Sequence, residues 1–251
     1  MNVLTCADDF GSMMTCIYEA YACRLGHRSI RLELEPILQP ELFCQYRQVD
    51  FDEKKAAAVI RSIQEKISWE AWQLVYRAAM SWQPHRLDCI YRFLLLGFHF
   101  GASVTDMLQH PAVSGLFALS RNVMNEAHYF REFIRFSSAK EKFLVSHIEP
   151  KCNILTLVAP HFSDRMPSEY WMIIDDTRNI AAVQPADEPF YLTSVTEEEM
   201  LRLKQAEKED GITVLWKEFF HSISISQRAS ARRQRTMLPV WYRRHMPEFH
   251  E

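Results

Sequence analysis

At 251 residues the chain is long enough for one large domain or two modest ones, each with a proper core. Hydrophobic content of 48% and charged content of 24% are those of an ordinary globular protein, and with only six glycines a fold built on Gly-rich phosphate loops is disfavoured. The formal charge is −3, and neither GxGxxG nor GxxxxGK(S/T) occurs, which excludes nucleotide-cofactor motifs of that kind.

The N-terminal half reads as mostly helical. Residues 1–6 make a short strand, and Phe10, Met13, Met14, Ile17, Tyr18 and Tyr21 recur at helical spacing behind a cap at Asp8 or Asp9. The charged, proline-bounded segment from Gly26 to Pro40 reads as a loop. Phe43 to Val49 is a second strand able to pair with the first. Asp50 or Asp52 then opens a helix carrying Val59, Ile60, Ile63 and Ile67, and Ser68 opens another with Trp69, Trp72, Val75 and Tyr76. Pro84 starts a helix burying Leu87, Ile90, Tyr91, Leu94 and Leu95, and Pro111 starts a longer one ending near Phe136.

After Phe136 short β-prone runs take over, at 143–148, 171–174, 180–183 and 190–193. Asp175-Asp-Thr-Arg-Asn179 reads as a hairpin turn, with a metal or phosphate contact through Asp175, Asp176 and Arg178 as the alternative, and the stretch from Asn153 to His161 reads as a short helix. An acid-rich helix follows from Thr196 to Gly211, with Thr196 and Glu199 spaced as a capping box. The expected fold is α+β: a helical part over 1–136 with a possible two-stranded element, then a part over 137–251 with a small antiparallel sheet and helices.

Six cysteines (Cys6, Cys16, Cys23, Cys44, Cys89 and Cys152) are spread without a CxxC pair, so no zinc or iron–sulfur site of that type is expected and no cofactor is assigned. The start of the chain lacks a signal-peptide pattern, and the longest apolar run, Phe93 to Phe98, is too short to span a bilayer. A cytoplasmic protein with free thiols and no membrane association is the expectation.

Three clusters are candidates for chemistry. On the long helix Arg121, Asn125, His128, Glu132 and Arg135 form a polar line, either a solvated face or one wall of a phosphate groove. Pro160-His-Phe-Ser-Asp-Arg165 packs an imidazole, a carboxylate and a guanidinium into a presumptive loop. There His161 is a candidate general acid/base, Asp164 its orienting group or a metal ligand, and Arg165 a phosphate contact, against the alternative of local turn-capping and pairing. The third is the end of the chain. From Phe219 to Met246 there is no Asp, Glu or Lys, but there are Arg228, Arg232, Arg233, Arg235, Arg243 and Arg244, with Trp241 and Tyr242 beside the last pair. Taking those six charges from −3 leaves −9 for the remainder. Guanidinium groups bond phosphates in pairs and stack on bases, and aromatic faces suit unpaired bases. The competing reading is a strap paired with the chain's own acidic helix.

Several blocks, in order, resemble a bacterial family described as DNA-metabolism or DNA-repair proteins, itself a domain of unknown function. They are Phe10-Gly-Ser-Met-Met-Thr-Cys-Ile-Tyr-Glu-Ala-Tyr21, Leu119-Ser-Arg-Asn-Val-Met-Asn-Glu-Ala-His128, Ile148-Glu-Pro150 and Ala159-Pro-His-Phe-Ser-Asp-Arg165. The closing block runs from Leu215-Trp216 through Arg228 to Arg232, Gln234, Arg235 and Pro239. Two departures are Ser230-Ala231 where the family pattern has Asn-Pro, and Arg233 where it has an apolar residue. Members are often encoded beside a radical-SAM protein of DNA modification or repair, and a related domain precedes uracil-DNA-glycosylase-like domains. The resemblance implies an accessory protein that binds DNA through the arginine segment, with Arg121, His128 and Arg165 contributing, and that partners the radical-SAM enzyme. Two other expectations stand beside it: an enzyme acting on a damaged or flipped base through His161 and Asp164, and a protein–protein adaptor with a basic tail.

Overall fold

The computed structural model describes residues 1–37, 39–139, 143–207, 211–223 and 230–249. The fold is α+β, and the chain divides into two compact units, Met1–Met124 and Asn125–Glu251.

In the first unit strand β1 (Asn2–Cys6) is the centre of a three-stranded sheet. Val3, Leu4, Thr5 and Cys6 are all buried, as expected for a strand covered on both faces. Its neighbours are β2 (Ile30–Leu34) and β3 (Gln45–Gln48), both parallel to it. The stretch read as a loop therefore contains an edge strand. Ile30-Arg-Leu-Glu-Leu34 alternates, and Ile30 and Leu32 point inward while Arg31 and Glu33 stay at the rim. A parallel pair needs a crossover, which helix α1 (Phe10–Ala22) supplies between β1 and β2.

The helices follow from their caps and stripes. Asp9 accepts from Ser12 N at the start of α1, Asp52 from Lys55 N at α2 (Glu53–Lys66), and Ser68 from Ala71 N at α3 (Trp69–Ala79). Helix α4 (Arg86–Phe100) begins with a buried Arg86, which donates to Ala79 O and Gln83 O and pairs with Asp8. It ends at Gly101, whose φ of 63° is the left-handed turn glycine tolerates. By length and composition alone the stretch Arg86–Asp106 could cross a membrane. Leu87, Ile90, Tyr91, Phe93 and Leu94 are fully buried within the unit, which accounts for that apolar content. All six cysteines are free thiols.

Helix α5 (Pro111–Phe133) runs from the first unit into the second. The second unit is built on a five-stranded sheet of β4 (Ser137–Ala139), β5 (Phe143–Ile148), β6 (Trp171–Asp175), β7 (Ile180–Gln184) and β8 (Tyr191–Ser194), in that spatial order. Three pairings are antiparallel, including the hairpin β6–β7 expected from its turn residues, while β5 and β6 are parallel. The parallel pair arises because helix α6 (Leu155–Arg165) makes the crossover between them.

Helix α6 extends beyond the expected short helix and takes in Pro160-His-Phe-Ser-Asp-Arg165, so that segment is not a loop. Leu155, Val158, Ala159 and Phe162 fall at i, i+3, i+4 and i+7 and are buried. Their burial outweighs the helix-breaking tendency of the exposed Pro160. Helix α7 (Glu197–Glu207) opens on the Thr196–Glu199 capping box, with Glu199 N to Thr196 Oγ1 at 3.3 Å and Thr196 N to Glu199 Oε2 at 2.8 Å. Met200 and Leu203 of α7 cover the sheet core of Val145, Ile174, Ala181 and Val195. Helices α8 (Gly211–Ile223) and α9 (Ala231–Met237) and a closing 3₁₀ turn, Val240–His245, complete the unit.

Candidate functional site

The arginine-rich end splits into two parts with different environments. Arg228 lies outside the described residues. Arg232, Arg233 and Arg235 are exposed on α9, which Ser230 caps by accepting from Arg233 N. Among the described residues their guanidinium groups make no ion pair. Among the described residues none of them pairs with Glu197, Glu198 or Glu199 of α7.

Arg243 and Arg244 belong to an anchored segment. Tyr242 packs its ring on Tyr129 and Phe130 of α5, with centroids 5.0 and 5.1 Å apart. Burial, and then the charge of Glu126, push the Tyr242 hydroxyl above the ordinary tyrosine range. Arg243 donates to Leu238 O at 2.9 Å and lies over Phe249 at 4.6 Å. Arg244 pairs with Glu149 and stacks on Trp241 at 5.2 Å, and Lys151 lies 5.3 Å from the same ring. Arg135 donates to Glu248 at 3.0 Å, where the carboxylate is almost wholly enclosed, and lies over Trp216.

Around this segment the backbone is pinned by buried carboxylates. Glu126, 8% exposed, accepts from Lys151 N at 2.8 Å and Cys152 N at 2.9 Å. Asp175, fully buried, accepts from Thr177 N, Arg178 N and the Arg178 guanidinium. Burial pushes the Asp175 carboxyl above the usual aspartate range, against the pull of Arg178. Arg178 in turn donates to Pro150 O and Lys151 O, locking the β6–β7 turn to the segment that follows β5.

This locking brings together four groups that the sequence reading did not connect. His147 on β5 bonds through Nδ1 to Asp176 Oδ1 at 2.7 Å. His245 in the closing turn bonds through Nε2 to Glu149 Oε1 at 3.0 Å. The two imidazoles stack with centroids 6.1 Å apart and planes at 28°. Because a carboxylate only accepts, each of these bonds places the proton on the named ring nitrogen. A cavity of about 270 Å³ beside them is lined by Arg135, Ser146, His147, Thr213, His245 and Pro247, among others.

Apart from Arg244, which pairs with Glu149, Arg135 at the cavity and Asp176 of the turn, the residues selected from sequence fall elsewhere. His161 is half-buried on α6, while Asp164 and Arg165 are exposed. Among the described residues no hydrogen bond orients His161 or joins it to Asp164. Arg121 is exposed on α5, and His128 pairs with Glu132 one turn along the same helix at 3.2 Å. Arg135, from the same polar line, bonds to Glu248 instead. Sequence spacing gave no signal for the new cluster, since Glu149 and His245 lie 96 residues apart. The local cues were Ile148-Glu-Pro150, a charged residue closing a buried strand, and the acidic pair Asp175-Asp176 in the hairpin turn.

A mixed α+β unit carrying a carboxylate–histidine cluster under an anchored, arginine-bearing C-terminal segment is what the fold and site define. The chain belongs to the DUF4130 family, a domain of unknown function whose model matches residues 84–248, more than half of the chain. Both the cluster and α9 lie inside that match. No curated protein matches the chain.

Proposed function

We propose that the second unit binds nucleic acid through the exposed arginines of α9, and that the protein serves as a cytoplasmic accessory of DNA repair or modification beside a radical-SAM enzyme. The observation that carries the first part is the contrast within the arginine-rich end. Arg243 and Arg244 are consumed in anchoring, whereas Arg232, Arg233 and Arg235 stand exposed on a capped helix without an acidic partner among the described residues. Guanidinium groups in that state suit bidentate contacts to backbone phosphates.

Anisotropy with labelled single- and double-stranded oligonucleotides tests this. Replacing all three residues by Ala is expected to weaken binding by roughly tenfold or more at low salt, and the triple Lys variant to recover only part of the loss. Unchanged affinity in the Ala variant would remove α9 as the contact.

The sequence resemblance supports the partner. So does α8, where Leu215, Phe219 and Ile223 recur at i, i+4 and i+8 and are 66%, 53% and 58% exposed. An apolar stripe of that kind favours a protein partner over solvent. A radical-SAM enzyme encoded beside the gene should co-purify with this protein after nuclease treatment, and should be lost with Phe219→Asp. Retention that ignores Phe219→Asp, or no retention at all, would sink this part.

A further inference from the structure

We propose that Glu149, Asp176 and His245 hold a divalent first-row transition-metal ion, with His147 positioning Asp176. This inference is independent of the α9 reading. The three residues come from different elements of the second unit: the end of β5, the β6–β7 turn and the closing 3₁₀ turn. One ligand atom from each lies within 4.8 Å of the other two. A common ion at ~2.0–2.2 Å from each atom requires the side chains to close in by less than about 1 Å.

The donor set selects the kind of ion. Two carboxylate oxygens and one imidazole nitrogen are too nitrogen-rich for a calcium or magnesium site of the usual all-oxygen type, and no thiolate is present to favour copper(I). Zinc, manganese, cobalt and ferrous iron remain. Binding would replace the proton on His245 Nε2 that now bridges to Glu149.

Supporting contacts already orient the ligands in the manner of outer-sphere groups. His147 Nδ1 holds Asp176 Oδ1 at 2.7 Å, and Arg244 takes Glu149 Oε2, leaving Oε1 toward His245. The backbone beneath is fixed by Arg178 across Pro150 and Lys151 and by Glu126 across Lys151 and Cys152.

The neighbouring cavity is the second observation. His147 and His245 both line it, so space for a coordinated water or a bound molecule lies directly beside the imidazoles. Three protein ligands leave at least one coordination position for water or a bound molecule, the arrangement of catalytic rather than structural sites.

The test uses cobalt(II) as a spectroscopic probe on the full chain, followed by displacement with zinc(II). One saturable equivalent with visible d–d absorption is expected, lacking the sulfur-to-cobalt charge-transfer band that a cysteine site would show. His245→Ala and Asp176→Asn should each weaken binding at least ~10-fold, and His147→Gln by roughly 10- to 100-fold. Ser146→Ala should bind as the parent does. Asp176→Asn keeps the side chain's size, so it decides the matter if His245→Ala fails to fold. Absence of saturable binding, a thiolate band, or affinity unmoved in Asp176→Asn would overturn the proposal.

Discussion

Glu126 shows how much one side chain can hold. It is the buried acceptor for two successive backbone N–H groups, those of Lys151 and Cys152, at the point where the chain leaves β5. Glu126→Gln can keep one of those bonds but turns an amide donor toward the other. Urea unfolding is expected to show a loss of about 1–3 kcal/mol, because a buried donor is left unpaired. A variant as stable as the parent would mean that the two bonds contribute nothing net. Its partners lie 25 and 26 residues away, beyond the reach of any local sequence pattern. Arg121, Asn125, His128 and Glu132 do share α5, whereas Arg135 lies past its end at Phe133: His128 meets Glu132 locally, while Arg135 reaches Glu248 across 113 residues. Periodicity reports a face and says nothing of what approaches it.

Among the elements, α4 meets Ile67 so closely that residue 97 has to be small. A Cβ added to Gly97 would lie 2.6 Å from Ile67 Cδ1 and 3.5 Å from both Cγ atoms, and Ile67 is itself buried. Gly97→Val is expected to cost about 1–3 kcal/mol through overpacking. Gly97→Ala should stay within about 1 kcal/mol of the parent, since its better helix propensity offsets a smaller clash. Thermal unfolding of the two variants checks this, and equal stability for both would contradict the packing argument. Helix caps and stripes in this region were legible in the sequence, because Asp9, Asp52 and Ser68 act within three residues of themselves. Two elements were misread. Strand β2 hid in a charged segment because half of an edge strand's side chains face the rim. Helix α6, expected to end at His161, runs on to Arg165, and beyond Phe162 its polar last turn offers no apolar stripe to follow.

At the scale of the molecule, a formal charge of −3 conceals a division of labour among the arginines. The tail first appeared as one basic block. The structure separates a part that fastens the closing turn, through Tyr242, Arg243 and Arg244, from a part that faces outward on α9. That separation was not readable from composition, since both parts carry clustered arginines and differ in whether a carboxylate, a carbonyl or an aromatic ring is near. It also makes the binding account quantitative, because only the outward arginines should release counterions from nucleic acid. The decisive measurement is therefore the dependence of oligonucleotide affinity on salt, compared between the parent and the variant with Arg232, Arg233 and Arg235 replaced by Ala. The slope of log K against log salt is expected to shrink by roughly 2 to 3 units in the variant. Identical slopes for the two proteins would contradict the account.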